Sequence, residues 1–299
     1  MAKQLELFLQ GGLGNQLIQL AYAESLVQRC GAHLVVNPLL LGGTWARLRG
    51  ISCRPRSRLS LGHGVERRGL LAQVLGFLRL RWARLRRRIV LDASGDAAAL
   101  QLLQSLTPAS PLPLLGYFQW QQAFGSDADP FWQRLAQGVL QHRQLEPYPL
   151  GQVVVHVRLG DYLWPQNQRL FAAVSLERQL QLAQAWRQQL GGSGPIHLVS
   201  DDPALLQQLL PPDWQDSARL IGGSTADNDF LLLASHRHIV ASNSSFSFCA
   251  GRLAATLWGV KTPLLRPDRW FNDPLKDARQ DAEWRACGFC ATANDLGLA

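Results

Sequence analysis

His156, Arg158 and Asp161 fall within one short stretch, Val153-Val154-Val155-His156-Val157-Arg158-Leu159-Gly160-Asp161-Tyr162. A guanidinium is a permanent cation whose planar fork pairs with phosphate or carboxylate through two parallel hydrogen bonds. A carboxylate or an imidazole is the side chain best suited to take a proton from a hydroxyl. Two further clusters have compatible chemistry. Ser200-Asp201-Asp202 groups acceptors, and Ser242-Asn243-Ser244-Ser245 places hydroxyls ahead of a run that reads as helix. Hydroxyls and free helix-start amides together make a phosphate cradle. Each cluster alone also has a plain structural reading: Ser244 and Ser245 as N-caps, Asp161 as the ion-pair partner of Arg158. Taken together they read as an anion site in which Arg158 meets a diphosphate by electrostatic preorganisation, without a metal.

All three clusters terminate strand-like runs, and the first, β-branched in Val153-Val154-Val155, has the signature of a strand buried in a parallel sheet. Ligands of open α/β sheets sit outside the carboxyl ends of the strands, where these residues stand. Strands at 153–157, 195–200, 238–242 and 260–265 alternate with expected helices at 175–190, 203–210, 227–235, 248–257 and 276–284. Asp202 reads as an N-cap with Pro203 at the first helical position. Upstream, a strand over 5–9 runs into Gly11-Gly12-Leu13-Gly14-Asn15-Gln16 and a helix over 17–31, followed by a strand at 34–36. Strand, glycine turn and helix aim backbone N–H groups at an anion. Gly12 and Gly14 fit G-x-G-x-x-G, but Leu17 fills its third glycine position, so a tight βα turn explains the run equally well. The alternation makes the chain α/β, with parallel sheets and right-handed crossovers. Pro147 and Pro149, after a helix expected at 131–140, mark a boundary between residues 1–150 and 151–299.

With 299 residues and 47% apolar content, the chain is long enough for two globular domains. Its net charge is +8, and nearly all the basic residues are Arg, which favours anionic partners. The five cysteines, Cys30, Cys53, Cys249, Cys287 and Cys290, are odd in number and scattered, as suits a reducing compartment. No secretory signal and no membrane-spanning run is read, so a cytoplasmic location is expected. Arginines recur at Arg47, Arg49, Arg54, Arg56 and Arg58, then at Arg79, Arg81, Arg84, Arg86, Arg87 and Arg88. Residues 70–89 form an amphipathic helix with Leu71, Val74, Leu75, Leu78, Trp82, Leu85 and Ile89 on one face. Such a cationic helix either packs with a solvated basic face or lies on an anionic inner-membrane surface through Arg79 to Arg88. No nucleic-acid module is evident. The aromatic run Tyr117-Phe118-Gln119-Trp120 is either core or a sugar-stacking platform.

Four motifs then occur in order: Gly11-Gly12-Leu13-Gly14-Asn15-Gln16; His156-Val157-Arg158-Leu159-Gly160-Asp161-Tyr162; Val199-Ser200-Asp201-Asp202; and Asp229-Phe230-Leu231-Leu232-Leu233-Ala234-Ser235 leading to Ile239-Val240-Ala241-Ser242-Asn243-Ser244-Ser245-Phe246-Ser247. The set resembles the α-1,2-fucosyltransferases of glycosyltransferase family 11. The resemblance implies a GT-B-like pair of Rossmann-type domains facing a cleft, the first on the acceptor side and the second binding GDP-fucose. It implies inverting, metal-independent transfer of fucose to a sugar hydroxyl, usually the 2-OH of a galactose at the end of a surface glycan, with no cofactor besides the donor. Arg158 would hold the β-phosphate, with His156 lining the same pocket. Asp229 would accept from guanine, Ser244 and Ser245 would bind phosphate, and Asn15, beside Gly14, would reach toward the diphosphate or fucose. Asp201 belongs to the same donor-binding set. Asp161 and then His156 are the candidates for general base.

The chain departs from that pattern in three places. Leu159 replaces the family's second Arg, Phe248-Cys249-Ala250-Gly251 replaces its Trp-Trp-Gly-Ala, and Glu177-Arg178 replaces a Tyr-Tyr pair. Other readings are a metal-dependent GT-A-type transferase, using Asp127-Ala128-Asp129 or Asp227-Asn228-Asp229 on a divalent ion, and a nucleotide-sugar-binding protein without turnover. A metal site at His236, His238 and Cys249 is the weakest; Cys287 and Cys290 lack the second pair a zinc ribbon needs.

Overall fold

The computed structural model describes residues 3–41, 66–67, 70–86, 88–91, 95–105 and 111–298. Arg47, Arg49, Cys53, Arg54, Arg56, Arg58 and Arg87 lie outside the described residues. Two compact units divide between Leu135 and Ala136. The division falls within a helix, Asp129–Arg143, upstream of the proline-containing segment where composition put the boundary.

In the first unit the strands are β1 (Gln4–Phe8), β2 (His33–Asn37), β3 (Glu66–Arg67), β4 (Val90–Leu91) and β5 (Leu112–Leu115). They form one sheet in the order β3-β2-β1-β5-β4, every pairing parallel. Helix α1 (Leu13–Cys30) begins four residues before the expected start at Leu17. The glycines do not form a long loop. Gly12 is the N-cap, and Leu13 and Gly14 are already helical and buried. Gly11 alone makes the turn, at φ 79, a region L side chains avoid. Helices α2 (Leu70–Leu85) and α3 (Asp96–Gln104) follow. Asp96 fixes α3 to α1, accepting two hydrogen bonds from Arg29 at 2.8 and 2.7 Å and one from the Tyr22 hydroxyl at 3.1 Å. Phe118 is buried and stacks on Tyr22, Trp120 is half-buried against the same ring, and Tyr117 is exposed, so only Phe118 of the aromatic run is fully core.

The second unit holds β6 (Val153–Val157), β7 (Ile196–Ser200), β8 (Ala218–Leu220), β9 (His238–Val240), β10 (Leu264–Leu265) and β11 (Cys290–Ala291). Their order is β11-β10-β9-β6-β7-β8, again entirely parallel. Read from the other edge and counted from β6, this is the 3-2-1-4-5-6 order of dinucleotide-binding sheets. Helix α4 (Asp129–Arg143) crosses the division between the units, and with this sheet come α5 (Pro165–Leu170), α6 (Leu176–Gln189), α7 (Pro203–Leu209), α8 (Ala226–Ala234), α9 (Ser245–Trp258) and α10 (Pro274–Ala286). All five residues of β6 are buried, as its valine run requires. The core joins Val153, Val155 and Val157 to Leu180, Ala183 and Trp186 of α6 and to Leu198 and Leu206. Among the described residues, no helix is long and apolar enough to cross a membrane.

Three histidines are buried in this unit. The His236 Nδ1 lies 2.8 Å from the Leu232 carbonyl, which can only accept, so Nδ1 carries the proton. The His236 Nε2 therefore accepts from the His197 Nδ1, 2.8 Å away, while Tyr148 stacks on the ring. Burial lowers the pKa of His156 and His236 to about 3 and that of His238 to about 4. Folded-state values below the unfolded value of about 6.5 mean that the unfolded chain takes up protons first. Stability is then fully present above about pH 6.5 and declines as pH falls toward 4. We expect the thermal unfolding midpoint to hold nearly level above about pH 6.5 and to drop steadily from there to pH 5. A flat midpoint over that range would contradict the neutral, buried assignment.

Candidate active site

The order of the second sheet creates a switch point between β6 and β9, whose onward connections leave in opposite directions. A crevice forms outside the carboxyl ends of such a pair. Arg158 follows β6 directly, and Ser242 through Ser245 follow β9 and start α9. The β6/β7 register sets Val157 opposite Ser200, so Arg158 and Asp201 leave the sheet side by side.

Arg158 is held by two carboxylates. Its Nη1 lies 2.7 Å from the Asp201 Oδ2, and its Nη2 donates to the Asp161 Oδ1. Its guanidinium carbon sits 5.6 Å from the centre of the Tyr162 ring. The side chain remains 13% exposed, so an anion can still approach. Asp201 does a second task, accepting from the Leu159 backbone N–H at 2.9 Å. This carboxylate therefore fixes both the chain leaving β6 and the direction of the guanidinium. Gly160 is part of the arrangement: a Cβ there would meet the Asp201 Oδ2 at 2.2 Å, far inside contact distance. Leu159, where the resemblance has a second Arg, packs with Val157, Leu180 and Leu198 in the apolar core.

His156 is buried. Its Nδ1 lies 3.1 Å from the Ser242 Oγ, and its ring stacks on Phe246 at 5.3 Å. Burial first, and the nearby Arg158 second, hold it neutral. His156 thus links the end of β6 to the segment after β9.

Ser244 caps α9, its Oγ accepting from the Phe246 N–H at 3.3 Å. The helix starts at Ser245, three residues before the expected start at Phe248. Its first turn is brought to the crevice, with the half-buried Ser245 at its first position. The Ser247 Oγ donates to the Ser242 and Ser244 carbonyls at 3.3 and 3.1 Å and fixes the turn. Asp229, in the first turn of α8, accepts from the Gly223 and Ser224 N–H groups at 2.9 and 3.4 Å. It holds the loop that follows β8. Asp202 caps α7 as expected, accepting from the Leu205 N–H at 3.1 Å.

Gln179 escaped the sequence reading. It is buried, and its Nε2 donates to the carbonyls of His156 at 3.1 Å and Ala241 at 3.2 Å. One amide thereby ties β6 to the segment after β9 where the crevice opens. In a Gln-rich helix nothing in its spacing distinguishes it from its neighbours. Asn243 was read as part of the polar cluster after β9, but not its bridge: its amide donates to the Ala172 and Trp270 carbonyls at 2.8 and 3.2 Å.

The first unit has its own switch point, between β1 and β5. Gly14 and Asn15 stand there, with the Asn15 Oδ1 accepting from Gln119 Nε2 at 3.2 Å. The two Asp-x-Asp runs are helix starts: Asp127-Ala128-Asp129 leads into α4, and Asp227-Asn228-Asp229 forms the first turn of α8. Among the described residues no group of three or more His, Cys, Asp or Glu side chains is arranged to hold a metal ion. His236 is engaged with His197 and Leu232, and Cys249 is buried in α9.

The sequence profile of Glycosyl transferase family 11 matches residues 110–286, more than half of the 299-residue chain. The chain belongs to glycosyl transferase family 11. The matched span holds β6 to β10 and every cluster around Arg158; Gly14 and Asn15 precede it. No curated protein matches this family 11 chain. Among solved structures it is similar to the NodZ alpha-1,6-fucosyltransferase soaked with GDP-fucose, at 15% identity and a TM-score of 0.39, covering 85% of this chain and 93% of that one. For fucosyltransferase NodZ from Bradyrhizobium the values are 14% identity, a TM-score of 0.39, and 84% and 92% coverage. A mutant of Arabidopsis thaliana FUT1 in complex with GDP gives 12% identity, a TM-score of 0.42, and 89% and 70% coverage.

Proposed function

We propose that this family 11 chain transfers L-fucose from GDP-fucose to a sugar hydroxyl, with inversion and without a metal ion. The 2-OH of a terminal galactoside is the acceptor we favour, in surface-glycan synthesis. The observation that carries the reading is the placement of Arg158 and the α9 N-terminus on the two sides of one switch point. That crevice suits a diphosphate, with amides and a hydroxyl on one side and a guanidinium on the other.

In the reaction the acceptor oxygen bonds to the fucose anomeric carbon. The bond from that carbon to the β-phosphate oxygen breaks, and its electron pair leaves with GDP. Arg158 and the first turn of α9 stabilise the charge that develops there. Asp229 faces the guanine, and Asp201 aims Arg158. The acceptor proton goes to Asp161 or to the departing phosphate. Asp161 can act only as its bond to Arg158 loosens, which an incoming diphosphate would cause by competing for the same guanidinium. His156, neutral and enclosed, lines the pocket from beneath.

A thermal-shift panel of GDP, UDP, CMP and their sugar conjugates, with EDTA present, tests the donor. A ligand that binds the native state at about 100 times its Kd stabilises by about 2.7 kcal/mol. GDP and GDP-fucose should raise the midpoint by several degrees, and UDP and CMP should not. A shift with UDP alone, or one abolished by EDTA, would overturn the reading in favour of a metal-dependent transferase.

A further inference from the structure

Helix α2 is apolar on two opposite faces. One face is buried: Phe77 and Leu80 pack with Phe8, Leu40, Ile89 and Leu115. Gly76 sets the depth of that contact, because a Cβ there would meet the Glu6 Oε1 at 2.1 Å and the Asn37 Nδ2 at 2.6 Å. The helix ends at Leu85, so Ile89 belongs to this buried cluster and not to the opposite stripe, contrary to the pattern read from sequence. The stripe consists of Leu71, Leu75, Leu78, Trp82 and Leu85, exposed by 75%, 49%, 49%, 62% and 80%. These spacings of four and three residues set them in one row along the helix.

Cations flank that row. On a 3.6-residue helix Arg79 and Arg86 fall along one side and Arg81 along the other. All three are exposed, as are Arg84 and Arg88. The Arg86 guanidinium carbon lies 5.3 Å from the centre of the Trp82 ring. No Asp or Glu occurs between residues 70 and 91. We infer that this stripe docks on an anionic phospholipid surface, its leucines and Trp82 entering the interface and its arginines meeting the headgroups. Charge decides against a second copy of the chain. Pairing two such stripes would set arginines against arginines on both flanks, with no acid to answer them. An anionic bilayer answers both flanks and covers the row.

The inference does not depend on the sugar chemistry and is tested on the full chain with sedimenting vesicles. The protein should pellet with phosphatidylcholine–phosphatidylglycerol vesicles at low salt. It should pellet poorly with phosphatidylcholine alone, and binding should weaken as salt rises. Arg79→Glu with Arg86→Glu should reduce partitioning on the order of 100-fold. Leu78→Ser with Trp82→Ser, which keeps every charge, should reduce it roughly tenfold or more. Unfolding midpoints of both variants should match the parent, since the substituted side chains are exposed. No binding by the parent, undiminished binding by both variants, or a parent dimer dissolved by Leu78→Ser with Trp82→Ser would each overturn the inference.

Discussion

Arg158→Ala is expected to lower transfer from GDP-fucose by roughly 10³-fold or more, the scale of losing a preorganised group aimed at developing charge. The loss should fall on turnover as well as on donor affinity, because the charge on the diphosphate grows as the sugar departs. Arg158 also separates Asp161 and Asp201, which are 24% and 22% exposed. Removing it leaves two carboxylates facing one another, so the alanine variant should also be less stable. Arg158→Lys distinguishes the two effects. It keeps one cation between the acids and should recover most of the unfolding midpoint. It cannot reproduce the planar fork, so turnover should stay well below the parent's. Near-normal turnover in the alanine variant, measured by GDP release with a galactoside acceptor, would remove Arg158 from the chemistry.

The strand ends around Arg158 were legible because each terminates a short, mostly buried apolar run, β-branched almost throughout in β6. Helix starts were legible where a cap and proline mark them, as at Asp202-Pro203, and illegible where glycine or serine runs imitate loop. Hence α1 and α9 begin earlier than their apolar spacing suggests. The strands β3, β4, β10 and β11 have two residues each, too few to carry a period; partners distant in sequence specify them. Of the two acids that hold Arg158, only Asp161 could be read. Asp161 is close in sequence, but Asp201 becomes a neighbour only through the β6/β7 register. Gln179 was hidden for the same reason, since its bridging of His156 and Ala241 exists only after β6 and β9 are adjacent. Residue types announced the anion site, whereas its positioning groups are properties of the pairing.

Gly160→Ala should do nearly as much harm as a substitution in the chemistry itself, although the added methyl need touch no substrate. Its Cβ would lie 2.2 Å from the Asp201 Oδ2 and 3.2 Å from the carboxyl carbon. Asp201 cannot yield freely, because one oxygen receives the Leu159 N–H and the other the Arg158 guanidinium. Any displacement therefore moves Arg158. A misplacement of about 1 Å at a positioned group costs roughly 10²-fold in rate, and overpacking of this kind costs about 1–3 kcal/mol in stability. A double-mutant cycle identifies the route. In an Asp201→Ala background the obstructing carboxylate is gone, so adding Gly160→Ala should cost little beyond the first substitution. If the glycine substitution cost the same factor in both backgrounds, the damage would travel through the backbone of residues 159–161. If Gly160→Ala alone left turnover unchanged, Asp201 would be free to move without disturbing Arg158, and its assignment as the residue that aims the guanidinium would fall.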